Sequence, residues 1–228
     1  MVTMKAPAAK ILAALALGLM ALNAKAVYVY DNSVNDQTNR LSAVDNLWFG
    51  DEVIMGAGYP ANSTLTHFDF QYWAVGTTGL TIDVQLLYNT GAPYNGYATP
   101  DFSSPIYTFS GFALPNTGRD TINFDAGIDF APGSINLSSA TLTLAVRFNF
   151  NGGGGTAGVD LYNPPVVGAG YLDYWVYNGG NWELTTNNVF GTVNFGMRIE
   201  AVPEPTSFSI FFLGGLMALG FRRLFGKK

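Results

Sequence analysis

Along most of this chain apolar residues alternate with polar ones, and the period is two rather than 3.6. Residues 66–73 place Phe68, Phe70 and Tyr72 on one face and His67, Asp69 and Gln71 on the other. Residues 80–88 repeat the pattern with Leu80, Ile82, Val84, Leu86 and Tyr88. Residues 142–150 do so with Leu142, Leu144, Val146, Phe148 and Phe150, and residues 192–200 with Val193, Phe195, Met197 and Ile199. Successive side chains of a β-strand point to opposite faces, so each run predicts a strand with one dry and one wet face. Shorter runs at 28–30, 51–55, 106–109, 121–124, 171–177 and 182–184 read as further strands.

Turn formers separate these runs: Gly76-Thr77-Thr78-Gly79, Asn89-Thr90-Gly91-Ala92-Pro93, Pro115-Asn116-Thr117-Gly118, Asn151 with Gly152–Gly155, and Asn178-Gly179-Gly180-Asn181. Gly and Asn tolerate the positive φ that tight reversals require. No stretch between Val27 and Val202 carries a helical stripe of three turns, and no fixed-period repeat is present. About ten one-faced strands predict an all-β domain, an antiparallel β-sandwich of jelly-roll type over residues 27–202, with a closed barrel as the alternative.

The two ends break the pattern. Residues 1–26 read as a secretory signal: Lys5 and Lys10, an apolar run of twelve from Ile11 to Leu22, then Ala24-Lys25-Ala26 with small residues at the peptidase positions. Twelve residues are short for a membrane span, which needs about 20. At the other end Pro203, Glu204 and Pro205 precede the apolar residues 206–221, then Arg222, Arg223, Lys227 and Lys228. Sixteen residues make a helix of about 24 Å, a short transmembrane segment against a hydrocarbon core of about 30 Å. The four cations form a membrane stop held in the cytoplasm by the positive-inside rule, which puts the body outside.

Charge sharpens the division. The body has no lysine; its cations are Arg40, Arg119, Arg147 and Arg198 against fifteen Asp and Glu, a formal net charge of −11. Such a surface repels phosphates, so nucleic acid is not an expected partner, and membrane contact is expected only through the C-terminal segment. The chain has no cysteine, which excludes disulfides, thiolate zinc sites and a thiol nucleophile.

The candidate chemistry is sparse. His67 is the single histidine and has no Gly-x-Ser-x-Gly partner motif, so a solvated strand histidine is the simpler reading. Asp173 and Glu183 flank the turn at 178–181 and are the carboxylate pair to inspect for glycosidase chemistry. Asp31, Asn32, Asn35 and Asp36 are the residues from which a Ca²⁺ rim site would be built. Gly152–Gly155 lacks the following Lys-Ser/Thr of a phosphate loop. No cofactor and no metal are expected. Trp175, Tyr177, Trp182 and Asp173 are the candidate glycan-binding residues, since rings stack on the apolar faces of sugars and acids bond hydroxyls. Packing of Trp175 against Trp182 across a hairpin explains the same residues more simply. Two of Trp73, Trp175 and Trp182 exposed together would mark a binding face.

The ordered parts at the C-terminus, Val202-Pro203-Glu204-Pro205, the short apolar span and the basic end, resemble the PEP-CTERM sorting signal of Gram-negative bacteria. That resemblance implies recognition by an exosortase, a membrane protease-transpeptidase, with removal of the tail; Pro203, Glu204 and Pro205 are then recognition residues for processing. It also implies an association with exopolysaccharide, biofilm matrix and surface display. The body looks similar to an uncharacterised PEP-CTERM group through residues 161–168, Asp173-Tyr174-Trp175-Val176, Asn181-Trp182-Glu183-Leu184 and residues 194–201, with no activity attached.

Together these readings predict a non-enzymatic protein, exported with the help of signal peptidase across an inner membrane. It is transiently anchored, processed by an exosortase, and left at the cell surface or outside the cell, with exopolysaccharide as a candidate partner. The alternatives are a carbohydrate-active enzyme, glycosidase or lyase, on a jelly-roll fold, and a Ca²⁺-stabilised adhesion module.

Overall fold

A computed structural model describes residues 25–203 except 58, 60, 61, 116, 117, 187–190 and 192. The expected signal helix and C-terminal transmembrane helix lie outside the described residues. Among the described residues no helix is long and apolar enough to cross a membrane.

The chain forms fourteen strands: β1 Val27–Asp31, β2 Asp36–Ser42, β3 Trp48–Ile54, β4 Ser63–Val75, β5 Thr81–Leu87, β6 Tyr107–Ala113, β7 Gly118–Asp125, β8 Asn136–Leu137, β9 Thr141–Asn149, β10 Thr156–Tyr162, β11 Ala169–Gly170, β12 Asp173–Asn178, β13 Asn181–Thr186 and β14 Met197–Pro203. They make two seven-stranded antiparallel sheets. The first runs β1-β14-β4-β10-β2, with β7 and β8 also paired to β4. The second runs β13-β12-β3-β9-β5-β6, with β11 paired to β3.

The alternating runs supply the layer between the sheets. Phe68, Phe70 and Tyr72 of β4 meet Ile82, Val84 and Leu86 of β5 and Leu142, Leu144, Val146 and Phe148 of β9 in one continuous core. Burying each such side chain contributes roughly 1.5–3 kcal/mol against conformational entropy of similar total size. Aromatic rings order this core: Phe68 stacks on Phe124 at 4.4 Å, and Phe49 meets Phe195 edge-on at 5.8 Å.

One predicted strand is shorter than its pattern. Residues 193–196 carry Val193 and Phe195 into the core, but regular pairing begins only at Met197; before it Phe195 makes a single bridge to Leu161. The reason is local. Asn194 and Phe195 spend backbone groups on β10 and on buried side chains, with Tyr162 N–H donating to Asn194 O at 3.0 Å and Phe195 N–H donating to Asp51 at 2.7 Å. At its other end β14 runs through Pro203, which is aligned with Ser63.

The outer face of the first sheet is a charge lattice rather than a solvated surface. His67 is held between Asp125 (Nδ1, 2.7 Å) and Asp69 (Nε2, 2.8 Å), and the buried Asp69 also accepts from Arg198 at 2.8 and 2.6 Å. Beside them Arg119 bridges Asp36 at 2.5 Å and the buried Asp160 at 2.9 Å. The expected solvated histidine is therefore a clamped one, and its hydrogen bonds to Asp69 and Asp125 outweigh burial and push its pKa up to about 9.

Candidate functional site

The outer face of the second sheet is covered by its own chain. Leu87 of β5, Ala145 of β9, Trp175 of β12 and Trp182 of β13 form a second buried cluster, capped by Trp48, Tyr94, Phe102, Tyr177 and Leu184. Tyr94 and Phe102 come from the connection between β5 and β6. That connection folds back on itself: Gly91 N–H donates to Thr99 O at 2.9 Å, and the Thr99 hydroxyl donates to Ala92 O at 2.9 Å. A Cβ at Gly91 would stand 2.4 Å from Thr99 Oγ1, so only glycine permits this closure. Asn95 (φ 50°) and Gly96 (φ 88°) turn its tip.

Between this connection and the β12–β13 turn lies a cleft of about 510 Å³. Its aromatic wall is Tyr94, Phe102, Tyr177 and Trp182, and its polar rim includes Thr99, Asp101, Ser103, Asn181 and Glu183. Phe102 sits at 4.8 Å from both Tyr177 and Trp182, and those two rings are 5.3 Å apart. Asp101 is fixed by the Ser103 hydroxyl at 2.7 Å, the Ser103 N–H at 2.8 Å and the Thr90 hydroxyl at 3.3 Å, bonds that lower its pKa, the Ser103 hydroxyl first.

The sequence candidates fall on both sides of this geometry. Tyr177 and Trp182 line the cleft; Trp175 and Asp173 do not. Trp73, Trp175 and Trp182 are 7%, 0% and 5% exposed, so no flat tryptophan face exists; Trp175 and Trp182 share one buried cluster, but the register sets Trp182 opposite Tyr177 and Trp175 opposite Leu184 rather than the two tryptophans opposite each other. Trp175 Nε1–H donates to Glu52 at 3.1 Å. On the other face of β12 Tyr174 and Val176 pack on the main core, while Leu172, just before the strand, is 61% exposed. Sequence reasoning missed Tyr94, Phe102 and Asp101. The signal available was an aromatic-containing, Pro- and Gly-rich connection of unusual length between two strand patterns.

Asp173 and Glu183 are not a pair. The register sets Asp173 opposite Thr186 and Glu183 opposite Val176, which puts the two carboxylates on opposite faces of the sheet. Asp173 instead stands near Glu52 and Asp51. Burial raises the pKa of all three, and the Asp173 charge adds to the rise at Asp51 and Glu52. The four residues considered for Ca²⁺ also separate. Asp31 bonds Ser33, the buried Asn32 donates to Tyr162 O and Phe195 O, Asn35 donates to Pro164 O, and Asp36 pairs with Arg119. Among the described residues no group of three or more His, Asp or Glu is arranged to hold a metal ion.

Comparison with known proteins bears on the end of the chain. Residues 201–224 match the family described as the PEP-CTERM protein-sorting motif. The chain carries a PEP-CTERM sorting signal. The motif supports an exported protein processed by an exosortase, with transient membrane anchoring before processing. Pro203, Glu204 and Pro205 lie inside the matched segment, as do Arg222 and Arg223; Lys227 and Lys228 follow it. Of these only Pro203 is among the described residues. No curated protein matches the chain. A solved structure of infectious bursal disease virus, Gx strain, is similar at 9% identity over 80% of this chain and 36% of the viral one, with a TM-score of 0.33. The chain thus spans about a third of that protein, and a likeness at this score carries no argument.

Proposed function

We propose that this PEP-CTERM protein is a non-enzymatic surface or matrix component of a Gram-negative bacterium. In this reading signal peptidase removes residues 1–26 and an exosortase removes the tail. The body then remains at the cell surface or in the extracellular matrix and contacts exopolysaccharide. The observation that carries the saccharide part is the cleft between the β5–β6 connection and the β12–β13 turn. Its size falls in the range of small-ligand sites, and it combines ring faces with polar side chains. In this reading Tyr177, Tyr94 and Phe102 supply the ring faces, while Trp175 and Trp182 are buried beneath them and do not form the exposed tryptophan face expected of a binding site. The sorting signal supports the location.

Against a glycosidase reading stands the separation of Asp173 and Glu183 onto opposite faces, which removes the pair on which that chemistry was to rest. A glycan array together with a pull-down on the producing cell's own exopolysaccharide tests the binding part. Retention on either, lost in a Tyr177→Ala variant that keeps its melting temperature, is the expected result. Retention on neither leaves a purely structural role.

A further inference from the structure

The second sheet brings together an alcohol, an amide and a shielded carboxyl that neither the cleft nor the sorting signal uses. Thr143 of β9 lies directly opposite Glu52 of β3 on one side and Leu87 of β5 on the other, and it is fully buried. Asn89, just past the end of β5, reaches back to it: the Thr143 hydroxyl donates to Asn89 Oδ1 at 2.7 Å. With a C=O bond of about 1.23 Å, that contact sets Thr143 Oγ1 roughly 3–4 Å from the amide carbon, close to the separation from which a nucleophile attacks.

The other end of the amide faces Glu52. Asn89 Nδ2 stands near enough to favour the charged carboxylate, yet it is buried and makes no well-formed hydrogen bond. A half-turn of the amide repairs this, because a protonated Glu52 then donates to Oδ1 while Nδ2 donates to Thr143 Oγ1. The carboxyl suits that part. Burial is the largest influence on its pKa and raises it; the Trp175 N–H, 3.1 Å from Oε2, opposes the rise, and the Asp173 charge adds to it.

We infer that Thr143 and Asn89 join in an intramolecular ester, with Glu52 as the general acid–base. Thr143 Oγ1 attacks Asn89 Cγ while Glu52 lends its proton to Oδ1. As the adduct collapses, Glu52 takes that proton back and the Thr143 proton passes to Nδ2. The Cγ–Nδ2 bond breaks and one ammonia leaves. One C–O bond has replaced one C–N bond, with no change of oxidation state, and the protonation and escape of ammonia draw the exchange forward. Leu87, Ala145 and Trp175, buried together on this face, keep water from the ester. The cysteine-free chain has no disulfide to hold the start of the β5–β6 connection, and the ester ties it to an interior strand 54 positions away. This assignment stands apart from the saccharide reading.

Intact-mass spectrometry of the purified full chain, unfolded in acid, reads the reaction directly. Expected is a species lighter by one ammonia, whose digest contains a branched peptide joining Asn89 to Thr143; alkaline hydroxylamine should split that peptide into two linear halves. Thr143→Val should abolish both the mass loss and the branch. Glu52→Gln should slow their appearance by about 100-fold or more. The pairs Asn95-Gly96, Asn151-Gly152 and Asn178-Gly179 can also lose ammonia, by closing on their own backbone. A mass loss that persists in Thr143→Val, or that comes without the branched peptide, belongs to such sites and overturns the ester. A full-length mass unchanged after prolonged incubation at mildly acidic pH overturns it as well. The peptide map of the unmodified protein decides the matter whether or not either variant folds.

Discussion

Replacing His67 with Gln should expose how much the charge lattice on the first sheet contributes. His67 donates to Asp69 and Asp125, and these contacts raise its pKa from 6.5 to about 9. At 1.36 kcal/mol per pH unit that interval is worth roughly 3.4 kcal/mol as an upper limit. Asp125 is 45% exposed, so solvent screening brings the contribution down to about 1–2 kcal/mol. The sign follows from linkage. A folded-state pKa above the unfolded one means that the stabilisation is complete below pH 6.5 and disappears as pH rises through about 9. Glutamine keeps a polar side chain near Asp69 and Asp125 but cannot carry the charge. Urea unfolding followed by tryptophan fluorescence at half-unit steps from pH 5.5 to 10 measures the difference. The unmodified protein should exceed His67→Gln by about 1–2 kcal/mol at pH 5.5, and the two curves should converge near pH 10. A gap that is constant with pH, or that widens as pH rises, would refute the clamp as an electrostatic device.

Other perturbations test packing and burial. Trp175→Ala should cost about 3–5 kcal/mol in the same urea assay, because the ring is fully buried and its N–H serves Glu52; a loss below about 1 kcal/mol would remove it from the core. Gly158→Ala should destabilise by about 2–3 kcal/mol, since the new Cβ would stand 2.0 Å from the Leu41 carbonyl oxygen across the β2–β10 pair; thermal unfolding unchanged from the parent would contradict that approach. Asp51→Asn should raise stability relative to the parent, with the gap widening from pH 4 upward. Burial raises the Asp51 carboxyl pKa, so the parent's stability is fullest below the unfolded value and falls as pH climbs towards the folded one. Equal denaturation midpoints at pH 4 and pH 6 would show that this carboxyl ionises freely.

Legibility differed among the strands for a physical reason. β4, β5 and β9 cross the sandwich with one face in the core, so their burial pattern is visible as alternation, and Phe68–Phe70–Tyr72 and Leu142–Leu144–Val146 could be assigned directly. β10 was invisible because Ala157 through Tyr162 are buried on both faces, which removes the polar half of the pattern. β2, Asp-Gln-Thr-Asn-Arg-Leu-Ser, was invisible for the opposite reason: it is an edge strand, mostly solvated, and held by backbone pairing and by Asp36 and Arg40 rather than by apolar side chains. The polar faces of the legible strands were also misjudged. Asp69 and Asp83 alternate like solvated residues, yet each is buried under an arginine.

The sequence by itself determined the all-β class and the sorting signal. Each is written in local order: a period of two, turn residues between runs, or three consecutive blocks at one end. Tertiary structure decided which side chains meet. The register of β12 on β13 parts Asp173 from Glu183, and the two sheets with their surface connections bury Trp73, Trp175 and Trp182. The return of the β5–β6 connection brings Phe102 against Tyr177 and Trp182, with Tyr94 and Asp101 beside them along the same cleft. These contacts join residues about 80 positions apart. Periodicity specifies the face on which a side chain lies, while its neighbours there depend on strand order, register and the path of long connections.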